Sequence, residues 1–338
     1  MTVLIITRSD DNECIDNVMK AIEQKGGQAF RFDTDCFPTD IRLTAKYGSG
    51  GEVQTLASAD HQVDLRDVTA VWYRRTRFGG QIPKSLDKQY RQASVGETRA
   101  TVLGLLSAMD AFCMDPLPVI RHAGNKQLQL RTAREVGLAI PRTLVTNDPD
   151  VVRTFAGECR DGMVTKMQYS FAIFDDEGRE SVVFTTAMKP ADLEDLSGLD
   201  LCPMMFQETV PKAHELRVTI VGNRVFAASI DSQSLKRAKI DWRREGQQLV
   251  DQWNKYDLPG EVETKLLHLM DRLDLNYGAI DIVVTPDDRY IFLEINPVGE
   301  FFWLEIHPGF AISDAIADVL LGKCARRAGN NRCQRQSR

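Results

Sequence analysis

Two acids and an amide stand where two strand-like segments would bring them together. Asp281 lies in Gly278-Ala279-Ile280-Asp281-Ile282-Val283-Val284, and Glu294 and Asn296 lie in Tyr290-Ile291-Phe292-Leu293-Glu294-Ile295-Asn296-Pro297. Pro286-Asp287-Asp288 between the segments is turn chemistry. Side chains alternate along a strand, so Glu294 and Asn296 share a face. A loop of two residues (Asp287 and Asp288) or of four (286–289) sets a register with Asp281 opposite Glu294, whereas a three-residue loop breaks it. Directly opposed carboxylates repel unless a cation lies between them. Carboxylate oxygens with an amide oxygen suit Mg²⁺, which keeps positions open for water and for nucleotide phosphates. The alternative is a half-exposed hairpin with ordinary surface acids.

A phosphate site needs cations, and four places offer them. Lys126 follows Asn125, a plausible N-cap, in a helix with Leu128, Leu130, Ala133 and Val136 as apolar positions and Gly137 as its stop. A lysine in a first helical turn opposes the helix dipole unless an anion sits nearby. Lys166 lies in the strand-like Gly162-Met163-Val164-Thr165-Lys166-Met167, where an inward lysine needs a partner; on the solvent face it needs none. Arg217 belongs to a hairpin whose strands, 215–221 and 224–230, flank Gly222-Asn223. Read from the hairpin alone, it is one member of a surface cross-strand ion pair worth under about 1 kcal/mol. Trp72-Tyr73-Arg74-Arg75-Thr76-Arg77 puts three arginines at a strand end, a place for anions or a solvated basic loop.

The elements that position these groups follow in order. Residues 3–6 and 29–32 read as strands around an amphipathic helix at 13–24 that ends at Gly26-Gly27. This βαβ start carries no Gly-x-Gly-x-x-Gly or Walker loop, so a nucleotide binds elsewhere. Short alternating strands at 41–45, 52–56 and 62–65 precede a strand at 68–73 and a helix at 85–111, which Asp115-Pro116-Leu117-Pro118 breaks. An acidic helix or turn at 189–196 precedes the extended Met204-Met205-Phe206-Gln207-Glu208-Thr209-Val210-Pro211. After a polar stretch around Asp241-Trp242-Arg243, the positions Val262, Leu266, Leu269, Met270 and Leu273 predict a core-facing helix. A last helix at 313–321 ends at Gly322, and residues 324–338 read as a basic disordered tail.

With 338 residues and 43% hydrophobic content the chain has room for two or three packed subdomains. A net charge of -6 gives no footprint for nucleic acid and would welcome a basic peptide. No apolar run is long enough to span a bilayer, and the initial Met1-Thr2-Val3-Leu4-Ile5-Ile6 is too short for a secretory signal and lacks its basic flank, so a cytoplasmic protein is expected. Seven scattered cysteines without a Cys-x-x-Cys argue against disulfides and structural zinc alike.

An acid on one strand followed by Glu294-Ile295-Asn296-Pro297 on the next resembles the metal-binding end of the ATP-grasp ligases. The longer Phe292-Leu293-Glu294-Ile295-Asn296-Pro297-Val298-Gly299-Glu300-Phe301-Phe302-Trp303, with Trp72-Tyr73-Arg74-Arg75, resembles the graspetide synthetases, peptide macrocyclases of the microviridin and plesiocin type, nearer their ester-forming branch. The resemblance spans residues 3–321 and implies an α/β (α+β ATP-grasp) fold. Its parts would be a pre-ATP-grasp domain (1–118), a central subdomain with a peptide-binding segment (119–202) and a metal-bearing C-terminal subdomain (203–323), the last two sandwiching the nucleotide. It implies ATP and Mg²⁺ as cofactors, Asp281, Glu294 and Asn296 as metal ligands, and Lys126 and Lys166 on the phosphates. Gln207, Glu208 and Val210 would contact the nucleotide, with Glu208 or Glu215 on the ribose, while Arg217 would neutralise the phosphoryl group. Arg74 and Arg75 would receive substrate acids or brace the phosphate end, and Asp192, Glu194 and Asp195 would hold a helical leader peptide. The implied reaction is ATP-dependent ester closure between Glu or Asp and Thr or Ser side chains of a ribosomal precursor peptide with a Thr/Glu-rich core, by a homodimer without nucleic acid or membrane. Amide closure with Lys, and a small-substrate ligase of the glutathione-synthase or glutamate-adding kind, are the alternatives.

Overall fold

The computed structural model describes residues 1–59, 61–168, 172–174, 180–182, 185–231 and 250–327. The polar stretch at Asp241-Trp242-Arg243 and the tail beyond residue 327 lie outside the described residues. The N-terminal part is built on strands β1 (Thr2–Thr7), β2 (Gln28–Asp33), β3 (Arg42–Gly48), β4 (Gly51–Ala57), β5 (Gln62–Asp64), β6 (Val68–Tyr73) and β7 (Phe112–Cys113). Strands β2-β1-β6-β7 form a parallel sheet, and β3-β4-β5 a separate antiparallel one. The unbroken apolar run in β1 follows from burial on both faces. Val3, Ile5 and Trp72 pack with the helices Cys14–Gln24 and Ile312–Leu320, whereas Leu4, Ile6 and Val71 pack with the helix Lys88–Ala108 and the small sheet.

A second unit holds β8 (Thr143–Thr146), β9 (Met163–Lys166), the hairpin β10 (Ala172–Phe174) and β11 (Glu180–Val182), β12 (Thr186–Ala187) and β13 (Met204–Glu208). Its sheet order is β12-β9-β13-β8. The third unit is the sheet β16-β15-β14-β17-β18, made of β14 (His214–Val221), β15 (Arg224–Ile230), β16 (Asn254–Lys255), β17 (Tyr277–Val284) and β18 (Tyr290–Asn296). One face, with Leu216, Val218, Ile280 and Ile282, buries the stripe Leu266, Leu269, Met270 and Leu273 of the helix Gly260–Arg272, as its spacing predicts. The other face carries Arg217, Thr219, Tyr277, Ala279, Asp281, Glu294 and Asn296, turned toward the N-terminal sheet.

Three segments differ from the sequence expectation. The helix Leu117–Ala123 begins inside the expected break, because Pro118 sits in its first turn, where a missing N–H costs no hydrogen bond. The helix Pro149–Glu158 was not anticipated, although Asp148 caps it through the N–H groups of Asp150 and Val151 and Pro149 opens it. Arg326 and Arg327, expected in a disordered tail, are anchored. Arg326 donates to Val319 O and Leu320 O at a helix end and lies over the Phe112 ring at 3.5 Å, and Arg327 reaches Gly222 O, Leu267 O, Asn223 and Asp271. No described helix is long and apolar enough to cross a membrane. Cys14, Cys36, Cys113, Cys159, Cys202 and Cys324 are free thiols.

Candidate active site

The hairpin β17-β18 does place Asp281 opposite Glu294, though by a route the loop rule excludes. Thr285 N donates to Arg289 O at 3.0 Å, leaving the three residues Pro286, Asp287 and Asp288 as the loop, with Asp288 at φ 58°. Near this turn Val284 pairs with Tyr290 and Ile282 with Phe292. A β-bulge at Leu293 then shifts the register by one, so that Asp281 meets Glu294 and Ala279 meets Asn296. Arg217 pairs with Asp281 on the other side, giving a row of Arg217, Asp281 and Glu294 across three strands.

Cations flank the two acids. Arg217 is 7% exposed; its Nη1 donates to Asp281 Oδ1 at 2.7 Å, and its guanidinium lies 5.5 Å from the Trp303 ring centre. Lys126 Nζ forms an ion pair with Glu294 Oε2. The helix Lys126–Glu135 that carries it is capped by Asn125, whose Oδ1 accepts from Leu128 N at 3.1 Å. Gln129, one turn further on, is buried; its Nε2 donates to Ile295 O at 2.8 Å and its Oε1 accepts from Ile295 N at 3.1 Å. One side-chain amide thus pairs with β18 as a strand would, and locks the helix so that Lys126 reaches Glu294. Sequence reasoning missed Gln129, whose only signal is its spacing of three from Lys126.

The arginines at the end of β6 meet the turn after Asn296. Arg74 is 2% exposed, with Nη1 donating to Val298 O at 2.6 Å and Gly299 O at 3.0 Å and Nη2 to Glu300 Oε2 at 2.5 Å. Asn12 Nδ2 donates to Glu300 Oε2 at 2.7 Å, and Arg75 pairs with Glu300 Oε1. The side chain of Arg75 remains 31% exposed; burial pushes its pKa down while Glu300 opposes the shift. Arg74 is therefore closed off behind the turn, and Arg75 alone of the two keeps a solvent-facing edge.

Of the expected nucleotide residues, Lys166, Gln207 and Glu208 lie on the neighbouring sheet, whereas Glu215 lies on β14 with Arg217. Lys166 ends β9, half-buried, opposite Met205 of β13. Gln207 is 3% exposed and donates to Thr143 Oγ1 at 2.9 Å, so its side chain is turned into the sheet. Glu208 Oε1 accepts from Arg142 N at 2.9 Å, Val210 follows the strand, and Glu215 is 7% exposed and accepts from Lys212 Nζ at 2.9 Å. Further off, Glu194 and Asp195 line an open hollow of about 400 Å³ with Asp150, Arg153 and Asp200. Asp192 caps its own helix through Lys189 N at 2.7 Å, and hydrogen bonds from the Ser197 hydroxyl and N–H lower the Asp195 carboxyl pKa.

The donor set fits a hard divalent cation. Among the described residues no three His, Cys, Asp or Glu side chains converge to form a full cage. Asp281 and Glu294, with the Asn296 amide one row on, offer only a partial oxygen shell, which suits an ion that retains water and takes phosphate oxygens. Lys126 and Arg217, now on the two acids, are the cations such phosphates would draw away.

Residues 2–121 match the family described as the MvdD pre-ATP grasp domain. The whole fold is similar to macrocyclase MdnC from Microcystis aeruginosa MRC, solved with its precursor peptide MdnA, at 49% identity and a TM-score of 0.87 over 95% of this chain and 100% of that one. The chain belongs to the RiPP-associated ATP-grasp macrocyclases. A ligase of this family from Chryseobacterium gregarium, solved with ADP and a leader and core peptide, is 41% identical with a TM-score of 0.93 over 98% of this chain and 99% of that one. Macrocyclase MdnB from Microcystis aeruginosa MRC is 36% identical with a TM-score of 0.78, over 95% and 99%. No curated protein sequence matches. Membership makes this macrocyclase-family chain an ATP-dependent ligase with the α/β ATP-grasp fold expected from its hairpin motif.

Proposed function

We propose that the enzyme uses Mg²⁺ and ATP to activate Glu or Asp side chains of a ribosomal precursor peptide and closes macrocyclic esters with its Thr or Ser hydroxyls. The observation that carries this reading is the set Arg217, Asp281, Glu294 and Lys126, two acids flanked by two cations on one face of the sheet. In the first step a substrate carboxylate oxygen bonds to the γ-phosphorus of ATP, the bond to the β-phosphate oxygen breaks, and ADP leaves. In the second the hydroxyl oxygen bonds to the acyl carbon, phosphate departs, and the hydroxyl proton is lost, so that each ring removes one water from the peptide. A divalent ion, when bound, would supply charge neutralisation.

Asp281, Glu294 and Asn296 hold that ion, Lys126 and Lys166 bind phosphate oxygens, and Arg217 stabilises the charge that develops on the phosphoryl group. Arg75, through its exposed edge, orients the substrate carboxylate. Gln207, Glu208 and Val210 frame the adenine, with Glu215 or the second oxygen of Glu208 on the ribose. The hollow lined by Glu194 and Asp195 receives a basic side chain of a helical leader; its four carboxylates outnumber Arg153, which is itself paired with Asp150. We take the peptide core to be Thr- and Glu-rich and the working enzyme to be a cytoplasmic homodimer.

Intact-mass spectrometry of a short acidic, Thr-rich peptide incubated with enzyme, ATP and Mg²⁺ tests the reading. Losses of one water per ring that reverse in mild base support esters, and base-stable losses replace them with amides. No loss, with ATP consumed only when free amino acids are supplied, overturns the peptide reading in favour of a small-substrate ligase.

A further inference from the structure

The turn after Asn296 is gripped from two domains at once. Tyr277 Oη donates to Gly299 O at 2.7 Å, and Arg74 Nη1 donates to the same carbonyl at 3.0 Å. Both side chains are 2% exposed, so neither presents a free surface to a peptide. The gripped carbonyl is close to Asn296 in chain and in space: Gly299 N donates to Asn296 O at 3.2 Å, and Val298 N donates to Asn296 Oδ1 at 3.0 Å. Gly299 also presses on β17, where an added Cβ would stand 2.4 Å from Ala279 Cβ, and Ala279 is the residue paired with Asn296.

We propose that Arg74 and Tyr277 are positioning residues that, through the Gly299 carbonyl, set Asn296 and Glu294 for the divalent ion. The inference rests on the assignment of that ion to Asp281, Glu294 and Asn296. Two donors on one carbonyl fix its direction as well as its distance. The Arg74 fork cannot swing, because Glu300 holds its second nitrogen and the Trp72 and Phe301 rings lie 5.8 Å from it. Tyr277 stays an O–H donor through the neutral range, since burial pushes its phenol pKa up. Mg²⁺ demands near-ideal octahedral geometry, so a small shift of a supporting group is felt as lost affinity.

The test is calorimetric titration of Mn²⁺ into the full chain with saturating ADP, for the parent, Asn296→Ala, Tyr277→Phe, Arg74→Lys and Gly299→Ala. Tyr277→Phe and Arg74→Lys are expected to weaken Mn²⁺ about tenfold or more, and Gly299→Ala to do the same from the β17 side. Normal Mn²⁺ affinity in Asn296→Ala overturns the metal assignment. A weakened Asn296→Ala beside normal Tyr277→Phe and Arg74→Lys overturns the positioning role alone. A thermal midpoint that falls while Mn²⁺ affinity holds reduces both residues to domain glue and also overturns it. Should Tyr277→Phe not fold, Arg74→Lys decides the matter by the same readings.

Discussion

Replacing Lys126 with Met should tighten metal binding in the absence of nucleotide while weakening binding of the nucleotide itself. Lys126 and Glu294 form an ion pair with side chains 22% and 21% exposed, so a cation approaching Glu294 must first displace the ammonium. A hydrogen bond between charged groups contributes roughly 1.5–3 kcal/mol. Solvent screening at this exposure argues for the lower end, which corresponds to about a tenfold gain in affinity once the competitor is gone. Methionine preserves the length and most of the apolar contact of the lysine stem, so the helix Lys126–Glu135 should hold its place through Gln129. Mn²⁺ titrated calorimetrically into nucleotide-free protein gives the first affinity, and ADP titrated into the Mn²⁺-loaded protein gives the second. Mn²⁺ affinity that is unchanged or lower in the variant, with ADP affinity intact, refutes the view that Lys126 alternates between Glu294 and phosphate.

Three further outcomes are expected. Asp281→Asn should lower kcat at least a hundredfold in the mass-spectrometric cyclisation assay, while the folded protein persists, because the amide oxygen still accepts from Arg217. Reversing Glu194 and Asp195 to Lys should weaken a fluorescent leader peptide about tenfold, and a compensating basic-to-acidic change in the peptide should restore binding. Asp115 is buried, accepts from the N–H groups of Asn276 and Tyr277, and has its pKa raised well above the carboxylate range by desolvation. Its folded pKa exceeds its unfolded one, so the folded state holds the proton longer and this group's contribution to stability falls as pH rises from about 4 toward neutrality. The urea midpoint of the parent relative to Asp115→Asn should therefore be more favourable at pH 5 than at pH 8, and an opposite trend contradicts the burial argument.

The hairpin that sets Asp281 opposite Glu294 was legible because alternation and turn chemistry are local. Even there the predicted partner of Asp281 is right only because the Leu293 bulge offsets the odd loop, and a bulge leaves little trace in an apolar strand. Lys126 was legible as an electrostatic misfit in its own helix. Arg74 was not: its motif marks a place for anions, but its burial depends on carbonyls 224 and 225 residues away. Gln129 reads as an ordinary polar residue of an exposed helix face until β18 lies beside it, and Arg326 and Arg327 read as a disordered basic tail until helix-end carbonyls and Asp271 come within reach.

The Arg74 contact also bears on how members of this family can be recombined. The side chain belongs to the N-terminal sheet, and the carbonyls and Glu300 that it holds belong to the ATP-grasp half. On the positioning role proposed for Arg74, a chimera that exchanges N-terminal domains should keep its affinity for the divalent ion only if the incoming strand ends in arginine at this place and the resident turn keeps its acid four residues past Asn296. The seam between the halves is thus inherited as a matched pair, and crossover points are better placed where no such grip spans them.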